Sequence, residues 1–322
     1  MTSISLPVLS LLNLATTPAT AQILKTSLGA DGPSGVPMTS WVDTAVPGRG
    51  VVLAVHGLVM HGGVYDAMAR QLAARGYTVV APDLRGYGHW LRKGESGRHI
   101  DYKSSHNDLV KVVSSIKSAY PNVPCFCLGE SLGADMALHL ASSCPDCFDG
   151  LILSAPAVHH RLFVAAILAN TPMLFAQPTH QIELSTYMKK YFSSDPRIGE
   201  ATVNDPLVRK RMSAYELLQS SAEVHKALDY ARRVPDDLPV LVMQGSNDQM
   251  LKSESVADLF AALTSRDMSF EWFSDHGHLM LETPYVDKDA MQALNRWLDR
   301  HDHKPRKELA QVPHNAEDKV PW

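Results

Sequence analysis

Three residues with acyl-transfer chemistry open to them stand far apart in this chain: Ser131, Asp248 and His278. A serine hydroxyl is a poor nucleophile until a base takes its proton. The base in turn needs an acid that fixes its tautomer and stabilises its charged form. Ser131 lies in Leu128-Gly129-Glu130-Ser131-Leu132-Gly133, with glycines where a side chain would collide with a sharp strand-to-helix turn. Asp248 closes Gly245-Ser246-Asn247-Asp248 after an apolar run, whereas Asp275 is too near the histidines to come from a different strand end. His276 and His278 share one loop, and His278 is the better base because Leu279-Met280-Leu281 behind it can hold the ring. The backbone N–H of Leu132, just past the serine, is one expected oxyanion donor. The N–H of Leu58, after His56-Gly57, is the other.

Such a set works only if other elements carry its members to one place. Val51–Val55, Tyr77–Ala81, Val123–Leu128, Leu151–Ser154, Val240–Gln244 and Ser269–Phe273 read as short, mostly apolar strands. Apolar residues at helical spacing predict helices over 64–75, Asn107–Tyr120, from Leu132 onward, and Tyr285–Arg300. Strands alternating with helices predict an α/β fold, a mostly parallel central sheet with helices on both faces. In such sheets reactive groups gather at the carboxyl ends of the strands, which is where Ser131, Asp248 and His278 fall. Between Pro156 and Pro235 the alternation stops. An apolar stretch, Leu162–Leu174, is followed there by helical segments at Glu183–Phe192 and Ser213–Arg232, and the whole reads as a helical cap inserted over the site. The expected organisation is a core of residues 22–155 and 236–301, a cap of 156–235, and a polar, loose tail of 302–322.

A chain of 322 residues that is 45% hydrophobic can bury one large core and still carry an insertion. A net charge of −4 and a pI near 6.4 give no basic footprint for nucleic acid. No apolar run approaches the roughly 20 residues of a membrane span. Residues 1–21 read either as a secretory signal peptide, from the apolar Leu6–Ala15 and the small Ala19-Thr20-Ala21, or as an N-terminal arm. The second reading has in its favour that no Lys or Arg precedes the apolar part and that Asn13 interrupts it; cytoplasmic and exported locations both stay open. The four cysteines, Cys125, Cys127, Cys144 and Cys147, fit buried thiols, or a disulfide in an exported protein, better than a zinc site, which would need more soft ligands nearby. No metal is expected.

Several segments together resemble the α/β-hydrolases, and within them the monoglyceride lipase and lysophospholipase-like branch. They are His56-Gly57-Leu58 with His61-Gly62-Gly63-Val64-Tyr65, Ala81-Pro82-Asp83-Leu84-Arg85-Gly86-Tyr87-Gly88, Gly129-Glu130-Ser131-Leu132-Gly133, Asn204-Asp205-Pro206-Leu207-Val208, and Gly277-His278. The resemblance implies cofactor-free hydrolysis of a small-molecule ester, such as a monoacylglycerol or other lipophilic ester, through an acyl-Ser131 intermediate. His56, Met60, His61, Trp90 and Glu130 are expected around the substrate, His159 at the mouth because it follows the Ala155-Pro156 strand end, and Leu162, Ile167, Met173 and Leu174 as an apolar wall because ligand pockets are mostly apolar. With no membrane span, a transient contact with a lipid interface through the cap stays open. Two departures bear on substrate choice: Val59-Met60 stands where the branch has an acidic residue before the histidine, and His89-Trp90 where it has small or polar residues. Acyl transfer to an alcohol or amine, and amide or peptide hydrolysis, are the alternatives on the same three residues. A non-catalytic receptor would predict a broken triad, and this one is intact.

Overall fold

The computed structural model describes residues 23–28, 35–94, 96–158, 177 and 179–302. The apolar runs lie in the middle of its main sheet. β3 (Gly50–Val55), β4 (Tyr77–Pro82), β5 (Cys125–Glu130), β6 (Gly150–Ser154) and β9 (Val240–Gly245) are buried at every position. Burial on both faces is what a parallel sheet between two helical layers requires. With β1 (Ile23–Leu28), β2 (Met38–Asp43) and β10 (Met268–Phe273), the eight-stranded order is β1-β2-β4-β3-β5-β6-β9-β10. β1 pairs with β2, and β2 with β4, antiparallel. All other neighbours are parallel, so the expected α/β-hydrolase architecture is present.

Helix ends follow their caps rather than the apolar period alone. α1 (Asp66–Ala73) is preceded by a 3-10 turn over Gly62–Tyr65. α2 (Tyr102–Ala119) starts ahead of the predicted Asn107, because the Asp101 side chain accepts the Ser104 N–H at 2.9 Å. The last helix, Lys288–His301, starts after the predicted Tyr285, because Asp287 accepts the N–H groups of Asp289 and Ala290. Between β6 and β9 the described residues form a two-stranded ribbon of β7 (Gln181–Glu183) and β8 (Arg211–Ser213), which the sequence did not signal. They also form helices at Ser185–Tyr191, Pro196–Asn204, Ala214–Val224 and Ala227–Ala231, so the single helix expected over 213–232 is two. The stretch Leu162–Leu174 and residues 1–21 and 303–322 lie outside the described residues. None of the described helices is long and apolar enough to cross a membrane. Cys144 and Cys147 are joined in a disulfide at the end of α3 (Leu132–Ser143), whereas Cys125 and Cys127 are free thiols in β5. Burial pushes both thiols up, Cys125 to about 12.

The crossing from β5 into α3 is the tightest point of the sheet. Ser131 sits at φ 57°, a left-handed value uncommon outside glycine. A Cβ on Gly129 would stand 2.1 Å from the Gly133 carbonyl oxygen, and one on Gly133 would stand 2.0 Å from that of Val55. No side chain fits at either place. Gly133→Ala is therefore expected to destabilise the protein by at least about 1–3 kcal/mol. A urea titration checks this as a lowered midpoint at unchanged slope.

Candidate active site

The three strand-end residues meet at the carboxyl edge of the sheet. Ser131 follows β5, Asp248 follows β9, and His278 lies in the loop after β10. His278 Nε2 is 2.9 Å from Ser131 Oγ, and His278 Nδ1 is 2.7 Å from Asp248 Oδ2. The remaining lone pairs of Asp248 are also occupied. Its Oδ1 accepts the N–H groups of Met250 (2.8 Å) and Leu251 (2.9 Å), and its Oδ2 also accepts from Gln244 Nε2 at 3.2 Å. Burial opposes the charge on Asp248, but His278 and these donors outweigh it and hold the carboxyl below its usual range. For His278, burial would lower the pKa, yet the facing Asp248 raises it above the ordinary 6.5. With Nδ1–H donating to Asp248, Nε2 is free to accept the serine proton. His276 points elsewhere, with Nε2 2.7 Å from Asp287 Oδ2.

Two clamps hold this geometry. Glu130, fully buried, does not face the cleft as expected of a substrate residue. Its Oε1 accepts the Ser154 hydroxyl at 2.6 Å and the N–H of Met280 at 3.0 Å. The Leu281 N–H lies 3.2 Å from both of its oxygens, and the Glu282 N–H is 2.7 Å from Oε2. The residue beside the serine thus grips the backbone just past His278. His56, likewise expected beside substrate, is fully buried, and burial takes its pKa down to about 4. The neutral ring donates from Nδ1 to the Gly57 carbonyl at 2.8 Å and accepts the Leu84 N–H on Nε2 at 2.9 Å. That carbonyl belongs to the same peptide plane as the Leu58 N–H, so His56 orients the donor that an oxyanion would meet.

Leu58 and Leu132 both line the cleft beside Ser131. Val59, Met60, Met250, Leu251 and Leu279 line it from the sheet side. Leu184, Tyr187, Met188, Phe192, Leu217 and Val224 line it from the segment between β6 and β9. Of the other expected substrate residues, Met60 is on the wall and His61 is not. His61 instead pairs with Asp205 at 3.0 Å and caps the Gly62–Tyr65 turn. Trp90 turns its indole N–H to the Asp83 carbonyl, and His89 bonds the Asp83 side chain, so this pair braces a loop rather than bordering the cleft. His159, Leu162, Ile167, Met173 and Leu174 lie outside the described residues. The sequence reading missed Glu282, a buried carboxyl on the cleft that accepts the Gly57 N–H at 2.6 Å. Its one local signal was its place four residues after His278.

Comparison with known proteins agrees with this geometry. Residues 47–284 match the family described as Serine aminopeptidase, S33. The chain is similar to the Monoglyceride lipase of Mus musculus, at 27% identity over 266 residues, covering 80% of this chain and 84% of that one. It is similar to the Monoglyceride lipase of Homo sapiens at 26% identity over 272 residues, covering 81% and 85%. Among solved structures, a soluble variant of the monoglyceride lipase from Saccharomyces cerevisiae in complex with a substrate analog superposes with a TM-score of 0.72 at 21% identity, over 89% of this chain and 98% of that one.

Two outcomes follow from the geometry. The rate at which a fluorophosphonate phosphonylates Ser131, with fluoride leaving, should rise with pH through a midpoint above 6.5, because only neutral His278 can take the serine proton. Asp248→Asn should lower that midpoint, and a wild-type midpoint at or below 6.5 would contradict the pairing. Glu130→Leu, which orphans three buried N–H groups, should cost about 2–5 kcal/mol in a urea titration, with Glu130→Gln costing less.

Proposed function

This chain belongs to the S33 serine-hydrolase family of α/β-hydrolases, and within it we propose a carboxylic ester hydrolase acting on lipophilic esters of the monoacylglycerol type. The observation that carries the proposal is the hydrogen-bonded line Ser131–His278–Asp248 at the floor of an apolar cleft. In the proposed cycle His278 Nε2 removes the proton as Ser131 Oγ attacks the ester carbonyl carbon. The tetrahedral oxyanion is held by the N–H groups of Leu58 and Leu132, which are backbone donors needing no reorganisation as charge develops. His278 then returns the proton to the departing alcohol oxygen and leaves acyl-Ser131. A water, deprotonated by the same nitrogen, attacks the acyl carbon and releases the acid. Asp248 stays ionised throughout and holds the imidazolium.

The lipophilic substrate is supported by the aliphatic, Met and aromatic lining of the cleft and by the similarity to monoglyceride lipases from several organisms. In this reading residues 156–235 act as a cap that supplies much of the acyl-binding wall.

Ser131→Ala should leave the fold intact and reduce ester hydrolysis on the order of a million-fold, the scale seen when a triad serine is removed. His278→Ala should be comparably damaging and His276→Ala mild. A chain-length series of chromogenic acyl esters, assayed beside these variants, measures both. Retained hydrolysis by the Ser131 variant would overturn the proposal, and the reverse order of the two histidines would move the base to His276.

A further inference from the structure

The turn that carries the Leu58 N–H is held through two peptide groups in series. The Gly57 carbonyl, in the same peptide plane as that N–H, accepts the Met60 N–H at 3.3 Å. The Val59 carbonyl, in the same plane as the Met60 N–H, accepts the Arg209 N–H at 2.8 Å. Main-chain dipoles thus run head to tail from Arg209 to the donor that an oxyanion would meet, and each bond polarises the next. The Gly57 carbonyl is also held by His56, from the core. The Val59 carbonyl is held from the segment between β6 and β9.

Val59 needs holding. Residues Gly57 to Met60 close as a four-residue turn, with Val59 in third place at φ 66°. A positive φ at that place is met as a rule by glycine or asparagine, and a β-branched residue there is strained. Such a residue persists only where its surroundings over-determine it. Arg209 is equipped to do that. It is 7% exposed, and its guanidinium donates to the carbonyls of Gly86 (2.9 Å), Arg98 (2.8 Å) and Arg211 (3.1 Å) and to the Glu216 carboxyl (2.5 Å). Gly86 and Arg98 lie between β4 and α2. The arginine therefore ties the inserted segment to the core at the point where its own N–H reaches Val59.

We propose that Arg209 is a positioning residue for the oxyanion donor. It holds Val59 at its left-handed φ, and through the Met60 N–H and the Gly57 carbonyl it fixes where the Leu58 N–H points. The proposal rests on the ester hydrolysis proposed above, in which Arg209 touches no reacting atom. With the guanidinium gone, Val59 relaxes toward negative φ and the Leu58 N–H leaves the place where charge develops. His56 still holds the Gly57 carbonyl, so the donor is misplaced rather than lost. The cost is then about tenfold to a hundredfold in kcat, short of removing a donor outright. Binding of the acyl chain depends on the apolar lining and changes less.

A trifluoromethyl ketone reads the donor directly. Ser131 Oγ adds to its carbonyl carbon as the serine proton passes to His278 Nε2, and the ketone oxygen becomes a hemiketal oxyanion with nothing leaving. The less electrophilic methyl ketone of the same chain reports the cleft alone. Full-length wild type, Arg209→Met, Arg209→Lys and Arg209→Met combined with Val59→Gly are titrated with octyl trifluoromethyl ketone and octyl methyl ketone, beside hydrolysis of a chromogenic octanoyl ester. Wild type should bind the trifluoromethyl ketone about a hundredfold tighter or more. Arg209→Met should cut that preference about tenfold or more and lower kcat with little change in KM. Arg209→Lys, which keeps the charge and three donors, should lose less. The double variant should regain most of the preference, because glycine takes φ 66° without strain. An Arg209→Met protein that keeps the preference and is merely less stable would overturn the inference, and so would an equal loss in the double variant. If Arg209→Met does not fold, Arg209→Lys with and without Val59→Gly decides in the same way. In each of these outcomes wild-type ester hydrolysis stands. A wild type that hydrolyses no octanoyl ester would overturn both proposals.

Discussion

The geometry at the sheet edge depends on one buried carboxyl. Glu130 gathers the N–H groups of Met280, Leu281 and Glu282 and the Ser154 hydroxyl around its two oxygens. Those donors come from the loop after β10 and from the end of β6, while Glu130 itself ends β5. The loop carrying His278 would otherwise be free to drift by an ångström, enough to break its 2.9 Å contact with Ser131. Here its backbone is fastened to the residue immediately before the serine. The sharp turn after β5 makes this possible: Glu130, the last strand residue, is buried, while Ser131 at φ 57° lies on the cleft.

A second constraint acts on the turn after β3. The Gly57 N–H is taken by Glu282, and its carbonyl by His56 and by the Met60 N–H at 3.3 Å. Val59, in the same turn, sits at φ 66°, which is strained for a β-branched residue. Its carbonyl accepts the Arg209 N–H at 2.8 Å. The Arg209 side chain in turn reaches the carbonyls of Gly86 and Arg98. On the other side of the cleft the Leu279 N–H donates to the Phe192 carbonyl at 3.1 Å. The segment between β6 and β9 is thus bonded to both turns that frame the serine, and its position and theirs are coupled.

Sequence reading recovers the parts of this arrangement that have local signatures. Ser131, Asp248 and His278 each follow an apolar strand and sit in a turn with its own glycine, so type, spacing and element agree. Glu130, His56 and Glu282 were misread or missed for a common reason: their partners lie far away in the chain, and a hydrogen bond to a distant backbone leaves no periodicity to read. Glu130 and His56 also stand beside Ser131 and the Gly57-Leu58 turn in sequence, which locally looks like substrate contact. β1 is largely exposed and pairs only with β2, so it lacks the continuous apolar run that marked the central strands. The wall formed by Tyr187, Met188, Phe192 and Leu217 was legible as helix but not as lining, since which helical face meets the cleft depends on how those helices pack.

The sheet order has a consequence for how the protein comes into being. β3, β4 and β5, at the centre, are made early and can pair as the chain leaves the ribosome, but β9 and β10 reach the edge only after the whole intervening segment has been synthesised. The serine is therefore assembled long before its histidine, and the amides that Glu130 grips arrive after that histidine. Until then Glu130 is a carboxyl without most of its donors. The contact between Ser131 and His278, and the grip of Glu130 on the backbone beyond it, can thus close only after almost the whole described chain has been made.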